Sequence, residues 1–160
     1  MESEANTSYS IGQSRYVSID EDNEIAICDD LKGKRAFFTG PRWARFVDEI
    51  PNVDKAIIRA MKLKPTHFRC HVGGNWHVSV TDEVPFVDLR RWYVNKLDNS
   101  LRPTPVGLAL TYTQWNNVKE VVELIKKDHP ELANTSPCWH NSQRCLHACA
   151  ECTPNPSYWL

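Results

Sequence analysis

Long apolar runs are missing from this 160-residue sequence. No stretch reaches the roughly eighteen apolar residues of a membrane-crossing helix, which excludes that class. Net charge is nearly absent as well: 19 Lys and Arg against 20 Asp and Glu leave −1 at pH 7. A globally basic protein steered onto phosphates is therefore excluded, although a local basic groove is not. The first ten residues, MESEANTSYS, lack the charged-then-apolar pattern of a leader. The expectation is a soluble, intracellular protein. There is no Gly-rich phosphate loop and no His-Glu-x-x-His pattern, so the common phosphate and metalloprotease sites have no candidate.

What is present suffices for a core. Hydrophobic residues make up 41% of the chain, enough for one ordinary domain or two small ones. Charge is distributed unevenly: residues 1–60 carry eight Lys and Arg against eleven Asp and Glu, whereas residues 61–132 carry ten against eight. Any phosphate-facing surface is expected in the second segment. Of the six cysteines, Cys28 and Cys70 stand alone and read as small buried hydrophobes. The other four crowd into the tail.

Two segments repeat. Tyr16-Val17-Ser18-Ile19 recurs as His77-Val78-Ser79-Val80, and Ala36-Phe37-Phe38-Thr39 with Trp43 recurs as Leu108-Ala109-Leu110-Thr111 with Trp115. The first pair is offset by 61 positions and the second by 72, so the later copy carries about eleven extra residues. Alternation predicts strands at Tyr16–Ile19, Glu24–Ile27 and Arg35–Phe38, with Asp20–Asn23 as a turn. Thr39 is then an N-cap, with Pro41 in the first helical turn. Trp43, Phe46, Val47 and Ile50 form an apolar stripe, Pro51 interrupts it, and Val53, Ala56, Ile57 and Ala60 continue it in a second helical piece. The later copy predicts strands at Trp76–Val80, Pro85–Tyr93 and Gly107–Leu110. A capping box, Thr111 to Gln114, opens a helix that buries Trp115, Val118, Val122 and Ile125 and ends near Pro130.

The extra segment holds the candidate binding chemistry. Asp88-Leu89-Arg90-Arg91-Trp92-Tyr93 interleaves two guanidinium groups with two aromatic rings. On a strand, Arg90 and Trp92 share one face while Arg91 and Tyr93 share the other. Each face pairs a phosphate-binding cation with a ring that can stack a base, the combination single-strand binding uses. Arg102, past the Asp98-Asn99 turn, adds a cation. The bland alternative is an amphipathic strand with one ring buried and the arginines solvated.

These residues resemble the positive cofactor four family, single-stranded-DNA-binding transcriptional coactivators of RNA polymerase II. The likeness spans Phe68 to Ile125. It is carried by Val78–Val80, Phe86–Tyr93, Leu101-Arg102-Pro103 ahead of Gly107–Leu110, and Gln114-Trp115. A weaker likeness covers Tyr9 to Ala60. The resemblance implies an α+β fold: two unequal repeats of curved antiparallel β-sheet plus helix, residues 9–61 and 66–130, pairing through their helices as an intrachain pseudo-dimer. It implies that Arg90 and Arg102 meet DNA phosphates, with Arg91 beside them. It places Tyr93 where the family stacks a tryptophan, leaving Trp92 as the buried ring, and aligns Lys34 with a DNA-contacting lysine. It further implies a monomeric, non-enzymatic protein of the nucleus that binds single-stranded or melted DNA and meets the transcription machinery. The sequence departs from the family at Val106, which stands where a lysine is expected, and at the acidic tip Asp20-Glu21-Asp22. Those departures support the alternative, a protein-interaction adaptor that keeps the fold without the DNA groove.

Residues 136–154 form a Cys/His-rich tail. Cys149-x-x-Cys152 has zinc-knuckle spacing, and Cys138-x-His140 supplies two further ligands. Four ligands close the tetrahedron, so zinc here is structural. His129-Pro130-Glu131 and Pro137-Cys138 superficially match the deaminase pattern, but they sit too close together to frame an active site. Metal analysis is expected to give about one zinc per chain, in line with one closed four-ligand site. Cys145→Ser is expected to retain the metal and Cys138→Ser to lose it.

Overall fold

The structure is a computed structural model, and it describes residues 7–133. The zinc expectation at Cys138, His140, Cys149 and Cys152 lies outside the described residues. Within them, eight strands and three helices run in the order β1 (Thr7–Gly12), β2 (Arg15–Ile19), β3 (Ile25–Asp29), β4 (Lys34–Phe38), α1 (Gly40–Met61), β5 (His67–Gly73), β6 (Trp76–Thr81), β7 (Val87–Val94), β8 (Leu101–Leu110), α2 (Tyr112–Asp128) and α3 (Pro130–Ala133). The strands form two four-stranded antiparallel sheets, β1-β2-β3-β4 and β5-β6-β7-β8, each paired in chain order. The fold is α+β. No helix among the described residues is long and apolar enough to cross a membrane.

The register explains why each sheet has one apolar face. In the first sheet Val17, Ile27 and Ala36 lie opposite one another, and so do Ile19, Ile25 and Phe38. In the second, Val78, Leu89 and Leu108 make one such rung, with Val87 and Leu110 paired in the next. All of these residues are buried. Each sheet's first hairpin turns at a bulge, between Ser10 and Gly12 in one and between His71 and Gly73 in the other. The two bulges stand 61 positions apart, the same offset as the paired sequence segments. The sequence reading had three strands per copy. It missed β1 and β5.

Both helices begin as the sequence predicts. Thr39 Oγ1 accepts from the Arg42 amide at 3.4 Å, and Thr111 and Gln114 complete their capping box. Pro51 does not divide α1, which runs unbroken for 22 residues. Proline in a helix interior forfeits one backbone hydrogen bond and crowds the preceding turn. Here its ring sits on the exposed side, while Val53, Ala56, Ile57 and Ala60 stay buried along the same stripe as Trp43 and Phe46. Burial of that stripe outweighs the local cost.

The helices cross over. α1 packs against β5 and β6, α2 packs against β1, and β4 lies beside β8. Corresponding helix positions tie the halves together. Arg45 Nε donates to the His71 carbonyl at 3.2 Å, and Asn117 Nδ2 donates to the Ile11 carbonyl at 3.0 Å. Trp115 is fully buried, packs edge-on to Phe46 at 5.9 Å, and donates its indole N–H to Asp54 at 2.7 Å. Lys119 pairs with the same carboxylate at 2.9 Å. Arg15, bonded to Asp29, also reaches the Ala109 carbonyl and Gln114.

Gly107 is the tightest point of the second sheet. It lies opposite Arg90 with φ +147°, and an added Cβ would strike the Leu89 carbonyl oxygen and stand 2.7 Å from Arg90 Cα. Gly33, also left-handed at φ +64°, has nothing within 4 Å of that position. Urea unfolding is expected to show Gly107→Ala destabilised by roughly 2–4 kcal/mol through overpacking and strain. Gly33→Ala is expected to lose only about 1 kcal/mol.

Candidate nucleic-acid interface

The second sheet's outer face is built by strand alternation. Val87 and Leu89 point into the core, so Asp88 and Arg90 point out of it. Across the sheet the outward row runs His71, His77, Arg90, Gly107, and the next runs Arg69, Ser79, Asp88, Ala109. Glycine opposite Arg90 leaves the guanidinium room to lie along the sheet.

Arg90 is already engaged. Its guanidinium grips Asp88 with three bonds of 3.0–3.3 Å and donates to the Thr104 carbonyl at 3.0 Å. The β8 irregularity supplies that carbonyl: residues 104–106 stand opposite Arg91 alone, because Arg90 pairs with Gly107 and Trp92 with Pro103. The carboxylate beside Arg90 reduces its pull on a phosphate.

Trp92 extends this face. Its ring lies 5.9 Å from His77, which lies 5.2 Å from His71, and the Arg69 guanidinium stands 4.9 Å from the Trp92 centroid. Arg69 is exposed, and no carboxylate pairs with it among the described residues. His71 Nε2 lies 2.6 Å from the Gly74 carbonyl, which assigns the proton to that nitrogen. His77 Nδ1 and Trp92 Nε1 are buried without a hydrogen-bond partner among the described residues. Trp92 is thus half-buried at the outer face rather than a core ring.

The remaining expected residues lie elsewhere. Tyr93, 41% exposed, alternates to the face opposite Arg90 and Trp92, opposite Arg102 on β8. Arg102 bonds Asp98 at 2.7 Å and Ser100 at 3.0 Å. Arg91 shares Tyr93's face. With the Asn75 amide turned to satisfy both its ends, Asn75 accepts from Arg91 at 2.9 and 3.2 Å. Lys34, exposed, lies opposite Asp29 in the first sheet, apart from the other four. The structure brings Arg90 together with Trp92 rather than with Tyr93. Arg69, His71 and His77 were missed. Their signal was present, since Phe68, Cys70 and Val72 alternate with His67, Arg69 and His71 as a strand requires.

The family model described as Transcriptional Coactivator p15 (PC4) matches residues 74–121, from the β5–β6 turn into α2. That stretch is 48 of the 160 residues and includes His77, Arg90, Trp92 and Arg102. No curated protein and no solved structure matches the chain.

Burial, helped by the neighbouring His71 and by the Arg69 guanidinium, pushes the His77 imidazole down from 6.5 to about 4. The folded state holds this ring neutral while the unfolded chain protonates it earlier. The resulting stability is present above pH 6.5 and is lost as pH falls towards 4. Chemical denaturation at pH 7 and pH 5 is expected to show a smaller gap for His77→Gln than for the unaltered protein.

Proposed function

We propose that this chain is a non-catalytic protein that binds single-stranded or melted DNA and acts as a transcriptional coactivator-like regulator in the nucleus. The observation that carries this reading is the Arg69 guanidinium over the Trp92 ring on an open sheet face, with Trp92 inside and Arg69 just ahead of the residues 74–121 that match the coactivator family model. A strand crossing that face would set phosphates on Arg69 and Arg90 and stack a base on Trp92. Arg91, Tyr93 and Arg102 form a second set on the reverse of the β7–β8 ribbon, and Lys34 lies on a separate path on the first sheet. The crossed helices support reading the chain as an internal pseudo-dimer that works as a monomer. Zinc bound by Cys138, His140, Cys149 and Cys152 would order the tail.

A second reading, the protein-interaction adaptor, is favoured by one specific observation. Arg90 and Arg102 are matched by Asp88 and Asp98, which weakens the phosphate field.

Titration of a polypyrimidine single strand at two salt concentrations separates the two. Binding that weakens with salt supports the DNA reading, and no binding at low salt supports the adaptor. Trp92→Ala is expected to cost about 1–3 kcal/mol, the usual worth of base stacking. Arg69→Ala is expected to flatten the log–log salt slope by roughly one unit. Binding unchanged in the double variant would move the site off this face.

A further inference from the structure

Beyond Trp92, whose amide still donates to the Asn75 carbonyl at 2.8 Å, β7 leaves β6 behind. The pairs Tyr93–Arg102 and Val94–Leu101 belong to β7 and β8 alone. Two rungs make a two-stranded arm standing about 7 Å beyond the sheet. The matching hairpin of the first sheet has no such arm, because β3 and β4 end together at Asp29 and Lys34.

The tip of the arm is rigidly made. The Asn95 amide donates to the Ser100 carbonyl at 2.8 Å, and the Asn99 amide donates to the Asn95 carbonyl at 2.7 Å. Asn95 Oδ1 accepts from the Leu97 amide at 2.9 Å. Asp98 is held by Ser100 and Arg102, with bonds of 2.7–3.0 Å. These bonds fix the backbone on both sides of Leu97, whose side chain is 96% exposed. A lone exposed leucine is ordinary on a protein surface. One held outward by an ordered turn, at the end of an arm with Lys96 beside it and Arg102 and Tyr93 behind it, is a different object. Lys96 and Arg102 against Asp98 leave the tip net positive, so it faces a polyanion without repulsion.

We propose that Leu97 is a wedge that inserts at the junction between duplex and single strand, unstacking the terminal base pair while the sheet face holds the freed strand. An apolar side chain entering a base step, flanked by cationic and amide side chains, is a known way to open stacked DNA. This rests on the single-strand-binding reading and adds to it a preference for junctions. Leu31, 81% exposed on the β3–β4 turn close against its sheet, is the internal control.

The test is a partial duplex with 2-aminopurine in the base pair at the junction, titrated with the full-length protein beside a plain single strand. The unaltered protein is expected to raise the fluorescence severalfold, as unstacking of a step does. Leu97→Ala is expected to lose most of that rise while its single-strand affinity stays within about twofold, because the stacking face is intact. Leu31→Ala is expected to match the unaltered protein. A full rise in Leu97→Ala, or none with the unaltered protein bound to the junction, overturns the wedge and leaves the single-strand reading standing. Absence of single-strand binding by the unaltered protein defeats both.

Discussion

Each half of this protein makes a sheet with one apolar face, and the helix that covers it comes largely from the other half. A four-stranded meander followed directly by a helix leaves its apolar rungs facing water unless something packs on them. Here α1 lies along β5 and β6 while α2 lies along β1, so neither half completes its core alone. The bonds across the junction start from corresponding helix positions, Arg45 and Asn117, and end on the His71 and Ile11 carbonyls beside the bulged turns. Trp115 sits at the centre, with its ring against Phe46 and its N–H on Asp54. A buried indole N–H needs such a partner, and the partner comes from the opposite helix.

That arrangement determines where a ligand can go. With the helices on the inner faces, the outer faces stay open, and the two halves differ in what they display there. The first sheet sets Tyr16, Cys28 and Arg35 in a row, where the second sets His77, Arg90 and Gly107. Glycine at the end of the second row allows an arginine to lie flat and reach Thr104. The β8 irregularity that provides the Thr104 carbonyl also starts the arm. One local departure from regular pairing thus shapes both the floor of the face and its projecting edge.

Charge counting by itself misjudges this surface. The second half is only slightly basic, and several of its cations are already paired with carboxylates or amides. Arg69 differs because its neighbour is a ring. A guanidinium over an indole remains a full charge towards solvent, whereas one in a bidentate ion pair is largely spent.

The sequence by itself determined the elements that rest on local rules. The threonine caps, the capping box, strand β6, the Gly107–Leu110 end of β8, the buried stripe from Trp43 to Ala60 and the division of Arg90 and Trp92 from Arg91 and Tyr93 follow from spacing and side-chain chemistry, and all are seen. Local rules misjudged Pro51, because packing of the stripe against another sheet outweighs the lost hydrogen bond. They also passed over β1 and β5, whose alternation is short and rich in serine, histidine and arginine. Only the tertiary structure decided which helix covers which sheet, that Asp88 engages Arg90, and that Arg69 reaches Trp92 from 23 residues earlier in the chain. Those contacts depend on cross-strand register and on how a bulge redirects a carbonyl. Such relations join residues distant in sequence, and no local periodicity encodes them.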